Sequence, residues 1–197
     1  MFYFFARGIC WFIYKILFRL TVIGLENVPQ TGGVVICGNH RSNHDPVILG
    51  ISQKRLLSFM AKEQLIKVPV LGLVLRGVGV FPVKRGTGDI GAVRKAVEIV
   101  GNGGMLTVFP EGTRNKTQEL LLEFKTGPAL IACRAKAAIQ PCVILGSYRL
   151  FSRITVIYGK PIFTEAYGEK PNLADVTADI RKEIVKIFNE YKNIHQK

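Results

Sequence analysis

The sequence has few of the residues on which many enzyme classes depend. It contains three histidines and four cysteines in 197 residues, and no two cysteines have Cys-x-x-Cys spacing. It has no Gly-x-Ser-x-Gly elbow, no P-loop motif and no Gly-x-Gly-x-x-Gly fingerprint. These absences argue against a covalent Ser or Cys intermediate and against P-loop or dinucleotide binding. They also favour reduced, buried cysteines in a cytosolic setting.

Acidic residues are also scarce. The chain carries 14 Asp and Glu against 27 Lys and Arg, which gives a formal net charge of +13. Such a balance implies an anionic partner: nucleic acid, an anionic membrane surface or a phosphorylated substrate. A nucleic-acid interface would interleave aromatic and basic side chains, whereas the dense aromatics here stand in the N-terminal stretch with few cations. We therefore expect a membrane surface and no nucleic acid.

The N-terminal stretch 2–20 is aromatic and aliphatic almost throughout. Its non-apolar residues fall within an arc of roughly 120° on a helical wheel: Arg7, Gly8, Lys15 and Arg19. Charges inside a stretch of this length disfavour a membrane span. We predict an interfacial membrane helix over 1–20, with its basic arc at the lipid headgroups, followed by one domain over 21–197. The alternative is a helix of the protein core.

Strands and helices alternate through the rest of the chain. The pattern predicts strands at 21–29, 33–37, 55–61, 78–83, 105–109, 139–145 and 154–158. It predicts helices from 46, at 89–100, at 126–137 and at 173–194. Residues 65–76 fit either a short packed helix or a lipid-facing surface. The expected fold is a single α/β domain with a mixed, largely parallel sheet flanked by helices.

A histidine and an aspartate stand on one predicted strand-to-helix turn. His40 follows the apolar run 33–37, and Pro46 suits the first position of a helix. Such a turn lies at the carboxyl end of a sheet, where α/β proteins place their chemistry. His40 beside the Asp45 carboxylate would make a general base, because the carboxylate fixes the tautomer and stabilises the imidazolium. The alternative is a histidine that is merely hydrogen-bonded in a loop.

A metal site is a further alternative at this turn. His40, His44 and Asp45 all have side chains that ligate metals. However, Pro46 pushes the residue before it out of the helical region, so we do not expect residues 40–45 to place the two histidines on one helix face. We therefore expect no metal here.

Basic residues follow two other predicted strands. Lys84 and Arg85 come after 78–83, and Arg114 comes shortly after 105–109. If these strands are parallel neighbours, the cations gather with His40 at one edge of the sheet, where guanidinium groups suit phosphate. Glu111 could pair with an arginine to hold its loop, and Gly112 allows a tight turn. The alternative for each cation is a solvated surface charge.

Together these motifs resemble those of the glycerolipid acyltransferases, in particular the 1-acylglycerol-3-phosphate acyltransferases. The Asn-His-x4-Asp pattern is met by Asn39, His40 and Asp45, and Phe-Pro-Glu-Gly-Thr-Arg stands unchanged at 109–114. Residues 79–86 are similar to the family's block of a strand that ends in basic residues. Residues 139–143 approximate its Val-Pro-[Val/Ile] block. The resemblance covers roughly residues 21–160, and three motifs in order make it specific.

The resemblance implies transfer of a fatty acyl group from acyl carrier protein or coenzyme A to lysophosphatidic acid, which gives phosphatidic acid. It implies that His40 deprotonates the acceptor hydroxyl, that Asp45 orients His40, and that no metal or bound cofactor takes part. The residues implied to bind the substrate are Lys84, Arg85, Glu111, Gly112, Thr113 and Arg114. We expect a peripheral or monotopic protein on the cytoplasmic face of the cell membrane.

Two other functions stay open from the sequence. The same motifs serve acyltransferases that act on glycerol-3-phosphate or on another lysophospholipid. A basic binding protein without enzymatic activity is the other possibility.

Overall fold

A computed structural model describes residues 2–84 and 88–192 and shows an eight-stranded sheet. The strand order is β1-β7-β6-β2-β5-β3-β4, and β8 also pairs with β6. The strands are β1 (Arg19–Ile23), β2 (Val34–Gly38), β3 (Leu57–Lys62), β4 (Val80–Val83), β5 (Met105–Val108), β6 (Ala138–Gly146), β7 (Arg153–Tyr158) and β8 (Ile162–Phe163). Five strands, in the order β6, β2, β5, β3 and β4, run parallel to one another. Strand β6 also pairs antiparallel with β7 and β8. This confirms the predicted mixed, largely parallel sheet.

Seven α-helices accompany the sheet within the described residues. They are α1 (Phe2–Leu17), α2 (Asp45–Ser52), α3 (Glu63–Lys67), α4 (Leu71–Gly77), α5 (Ile90–Gly101), α6 (Gly127–Ala135) and α7 (Leu173–Tyr191). The predicted end of the last helix, at 194, lies outside the described residues.

The central strand β2 has its whole run, Val34–Gly38, buried, because helices cover both faces of the sheet. Its side chains alternate between two apolar clusters. Val35 and Cys37 pack with residues of α5, α6 and α7, whereas Val34 and Ile36 pack with residues of α2. The strand that leads to His40 is therefore held on both faces, which fixes the position of the turn that follows it.

Several predicted boundaries differ from the structure: β1 is Arg19–Ile23 rather than 21–29, and α2 begins at Asp45 rather than at 46. Helix α1 ends at Leu17, three residues before the predicted end, because Arg19–Ile23 pairs with Arg153–Ile157 as a strand. The stretch 65–76 forms two helices rather than one. Helices α3 and α4 are separated at Val70, the residue after Pro69, and its φ of 61° interrupts helical geometry.

Helix α1 lies on the surface and presents most of its apolar side chains outward. Of its residues, Tyr3 is the one that is buried. A helix of the protein core is therefore ruled out, while its place at a membrane stays a prediction. In the described part of the chain, no helix has both the length and the apolarity needed to cross a bilayer. Arg7, expected at the headgroups, instead donates to the backbone carbonyls of Gln53 and Lys54.

The parallel strands β2, β3, β4, β5 and β6 end at the same edge of the sheet. The segments that follow them carry His40, Lys84 and the 109–114 motif. The topology therefore brings the three predicted motifs to one edge, as the sequence pattern indicated.

Candidate active site

His40 and Asp45 form a buried hydrogen-bonded pair. Nδ1 of His40 lies 2.8 Å from Oδ2 of Asp45, and the two residues are 7% and 1% exposed. The backbone N–H groups of Arg41 and Ser42 donate to the same carboxylate oxygen at 2.7 Å each. Asp45 is also the first residue of α2, where the helix dipole favours a negative charge. The turn thus fixes an ionised carboxylate against the imidazole.

This arrangement determines which ring nitrogen of His40 is available. A carboxylate only accepts hydrogen bonds, so Nδ1 carries the proton and Nε2 keeps its lone pair. The histidine lines a cavity of about 870 Å³. Nε2 of His40 can accept a proton from a hydroxyl group that enters this cavity.

Tyr148 is a partner of the pair that the motif patterns do not indicate. Its hydroxyl donates to Oδ1 of Asp45 at 2.5 Å. Burial, together with the nearby Asp45 charge, raises the pKa of Tyr148, so the phenol remains a donor. Tyr148 follows β6, whose carboxyl end lies at this edge of the sheet, and that position was the signal available in the sequence.

Three contacts position the backbone and ring of His40. The Asn39 side chain bridges to β6: its amide donates to the Ile144 carbonyl at 3.0 Å and its oxygen accepts from the Ile144 N–H at 2.8 Å. The imidazole stacks on Phe109 with ring centroids 4.0 Å apart. The Asn115 N–H donates to the His40 carbonyl at 2.6 Å. The general-base candidate is thus held by β2, β5 and β6 together.

Glu111 supports His40 through the backbone. One of its carboxylate oxygens accepts from the His40 N–H at 2.8 Å and the other from the Leu122 N–H at 2.9 Å. Among the described residues its hydrogen-bond partners are these amides, so the expected pairing with an arginine is not found there. The next residue, Gly112, has a φ of 67°, which confirms the tight turn.

The structure places the residues expected to bind the substrate phosphate in three different ways. Lys84 and Arg114 line the same cavity as His40. Arg85 lies outside the described residues. Gly112 and Thr113 are exposed, and neither is among the described residues that line the cavity.

The rest of the cavity wall is mainly apolar. Its lining includes side chains from α2, β3, α4 and β4: Val47, Ile51, Phe59, Met60, Leu75 and Val80. A cavity lined by a base, by cations and by mainly apolar side chains suits a phosphorylated amphiphile.

His44 faces away from the predicted pair. Its Nδ1 lies 2.5 Å from the Tyr14 hydroxyl, and its ring stacks on Tyr148. Across residues 2–84 and 88–192, no group of three His, Cys, Asp or Glu side chains is placed to hold a metal ion.

All four cysteines are free thiols. Burial raises the pKa of Cys37 and Cys142 well above its usual range, which makes them poor nucleophiles.

Comparison with known proteins gives consistent matches. The family model described as Acyltransferase matches residues 19–145. The 1-acyl-sn-glycerol-3-phosphate acyltransferase of Borreliella burgdorferi is 28% identical over 184 residues, which cover 88% of this chain and 73% of that protein. The enzyme of the same name from Helicobacter pylori is 31% identical over 160 residues, which cover 79% of this chain and 64% of that protein.

A solved structure matches the fold. The crystal structure of the 1-acyl-sn-glycerophosphate (LPA) acyltransferase PlsC from Thermotoga maritima superimposes with a TM-score of 0.79. The match covers 95% of this chain and 80% of that one, at 21% sequence identity.

Proposed function

This chain belongs to the acyltransferase family, and on that premise we propose that it transfers a fatty acyl group from an acyl thioester to the free hydroxyl of lysophosphatidic acid. The product is phosphatidic acid. One observation carries the proposal: the buried His40–Asp45 pair opens into a cavity that also holds Lys84 and Arg114. Relatives whose names state this activity support the choice of acceptor.

The reaction proceeds by direct transfer. Nε2 of His40 takes the proton of the acceptor hydroxyl as its oxygen attacks the thioester carbonyl carbon. Asp45 stabilises the imidazolium that forms. The tetrahedral intermediate then collapses, the carbon–sulfur bond breaks, and the thiolate leaves with the proton returned by His40. The new ester and the free thiol account for all atoms.

The acceptor is recognised by its phosphate. Lys84 and the fork-shaped guanidinium of Arg114 bind the phosphate dianion, and the glycerol hydroxyl then reaches His40. Gly112 and Thr113 shape the turn that presents Arg114, while Arg85 adds a further cation from the same segment as Lys84. No metal or bound cofactor takes part, because the base and the phosphate ligands are side chains.

The protein works at an anionic membrane surface, attached to the cytoplasmic face in a peripheral or monotopic manner. Helix α1 exposes Phe5 and Phe12, and α4 with its preceding residue exposes Leu73 and Val70 at 75% and 77%. The two helices adjoin, because a Cβ atom on Gly77 would come within 2.7 Å of the Phe2 ring. These apolar surfaces flank the cavity and would bury in the lipid from which the acceptor comes.

The proposed activity is tested by product formation with a panel of acceptors. Purified protein is incubated with an acyl-coenzyme A or an acyl-carrier-protein thioester and with lysophosphatidic acid, glycerol-3-phosphate, a lysophosphatidylcholine or a monoacylglycerol. Products are identified by mass spectrometry. We expect phosphatidic acid from lysophosphatidic acid with at least one donor, and little product from monoacylglycerol, which lacks the phosphate. Equal turnover of monoacylglycerol would contradict phosphate recognition, and faster turnover of glycerol-3-phosphate would move the assignment to that acceptor.

A further inference from the structure

Helix α1 is connected to the carboxylate of the reactive pair by a short series of contacts. The Tyr14 hydroxyl, on α1, lies 2.5 Å from Nδ1 of His44. The His44 ring stacks on Tyr148, with centroids 4.9 Å apart and planes at 26°. The Tyr148 hydroxyl donates to Asp45 Oδ1, and Asp45 accepts from His40. A helix with an outward apolar face is thus connected to the proposed general base through the side chains of His44, Tyr148 and Asp45.

A buried phenylalanine holds this cluster together. Phe18 is 6% exposed, and its ring lies within 5.8 Å, centroid to centroid, of both Tyr14 and Tyr148. It also meets the edge of His44 at 6.3 Å. Four packed rings cannot shift independently, so a movement of α1 displaces Tyr148 as well.

Helix α1 also contacts the segment at the C-terminal end of α2. Arg7 donates to the carbonyls of Gln53 and Lys54, which directly follow the last residue of α2. Tyr14 meets His44 just before the first residue, Asp45. Arg7 and Tyr14, seven positions apart on one face of α1, therefore contact the two ends of α2. The placement of Asp45 depends on how α1 sits on α2.

The geometry of the pair has little tolerance for such movement. Asp45 accepts four hydrogen bonds, and Tyr148 supplies the one on Oδ1. Without that donor the plane of the carboxylate is held through Oδ2 alone. Small displacements of a positioned base cost large factors in rate.

We propose that Tyr14, His44 and Tyr148 are positioning residues. They link the position of α1 on α2 to the orientation of Asp45, and thereby set the turnover number. The proposal rests on the acyl-transfer function given above. It assigns α1 a second task, distinct from membrane attachment, on the face opposite to Phe5 and Phe12.

The test removes single hydroxyl groups and measures kinetics without a membrane. The variants are Tyr14→Phe and Tyr148→Phe. The control is Tyr167→Phe, because Tyr167 donates a similar hydrogen bond to Asp179 at 2.6 Å, away from the pair. The substrates are hexanoyl-lysophosphatidic acid and hexanoyl-coenzyme A, or the hexanoyl carrier protein, below micellar concentrations. Lipid binding then does not enter the measurement.

We expect Tyr148→Phe to lower kcat about tenfold, as loss of a hydrogen bond to a charged group does, with an unchanged KM for the acceptor. Tyr14→Phe should lower kcat about threefold, and Tyr167→Phe should leave it unchanged. Thermal unfolding verifies that each variant is folded at the assay temperature. Unchanged kcat in both Tyr14→Phe and Tyr148→Phe, or an equal loss in Tyr167→Phe, would overturn the proposal.

Failure of the proposed function itself has a different signature. If the unmodified protein turns over neither donor, the acyl-transfer assignment fails. The linkage between α1 and Asp45 is then tested by NMR of the three histidine rings. Of the two histidines in the described residues, Tyr14 contacts His44 and not His40, so a changed His40 signal in Tyr14→Phe supports the linkage. An unchanged His40 signal in both Tyr14→Phe and Tyr148→Phe would refute it.

Discussion

A carboxylate oxygen of Glu111 lies 2.8 Å from the backbone nitrogen of His40, so one sequence motif holds the main chain of the other. Glu111 is 3% exposed, and its second oxygen binds the Leu122 N–H. The resemblance implied that this glutamate binds the substrate, and that role stays a prediction. Its contacts place it under the histidine, where it ties the segment after β5 to the segment after β2.

Glu111→Gln should therefore act on stability and turnover rather than on acceptor binding. The amide keeps one acceptor and replaces the other with a donor that faces an N–H group. We expect the free energy of unfolding to fall by about 1–3 kcal/mol, with a lower kcat and an unchanged KM for lysophosphatidic acid. Urea unfolding and steady-state kinetics measure both. A raised KM at unchanged stability would restore the direct role in phosphate binding.

Arg114→Ala should weaken acceptor binding. The guanidinium lines the cavity near His40, and its loss removes a charge-assisted contact to phosphate. We expect the KM for lysophosphatidic acid to rise about tenfold, with a smaller change in kcat and no change in the weak turnover of monoacylglycerol. The control is Arg134→Ala, an exposed arginine in the last turn of α6. Equal losses on both acceptors would show that Arg114 does not recognise the phosphate.

The aromatic face of α1 should determine membrane affinity. Phe5 and Phe12 are 66% and 62% exposed on the outward side. Phe5→Ser and Phe12→Ser should each weaken binding to vesicles of anionic phospholipid at least about tenfold, because each removes a side chain worth roughly 1.5–3 kcal/mol of burial. The control is Phe163→Ser, an exposed phenylalanine at the end of β8, which pairs with β6. Sedimentation with vesicles measures the affinity, and similar losses in all three variants would contradict the assignment of α1.

Stability should decrease in alkaline solution. Burial raises the pKa of Tyr158 above its ordinary value of 10.0, and its hydroxyl hydrogen-bonds to that of Ser52. Above pH 10 the unfolded chain loses the phenol proton while the folded protein keeps it, so the free energy of unfolding falls as pH rises. Urea unfolding between pH 8 and 11 should show a shallower fall for Tyr158→Phe. An identical slope in both proteins would contradict the pKa shift.

The sequence was most informative where local chemistry decides the geometry. Residues 39–44 lie outside a helix, as predicted, and His40 and Asp45 meet across a tight turn, although Asp45, directly before Pro46, is already the first residue of α2. The apolar strands and the rule that parallel strands end at one edge also placed Lys84 and Arg114 beside His40.

Features that depend on the direction of a side chain could not be predicted. Tyr148 reaches Asp45 from 103 positions away, at a point set by the packing of Phe18 and by the pairing of β6 with β2. Arg7 belongs to a basic arc on the helical wheel, yet it turns towards α2 because the carbonyls after that helix need donors. Such contacts arise from tertiary placement, which periodicity does not encode.

Release of thiol from the acyl thioester, with and without lysophosphatidic acid, tests the central claim most directly. It is measured for the unmodified protein and for His40→Ala, with thermal unfolding to verify the fold of the variant. We expect release that requires the acceptor and that falls by about 10²–10⁴ in the variant, the contribution of a positioned general base. Release that is independent of the acceptor, or a folded His40→Ala variant that keeps most of its turnover, would contradict direct acyl transfer by this site.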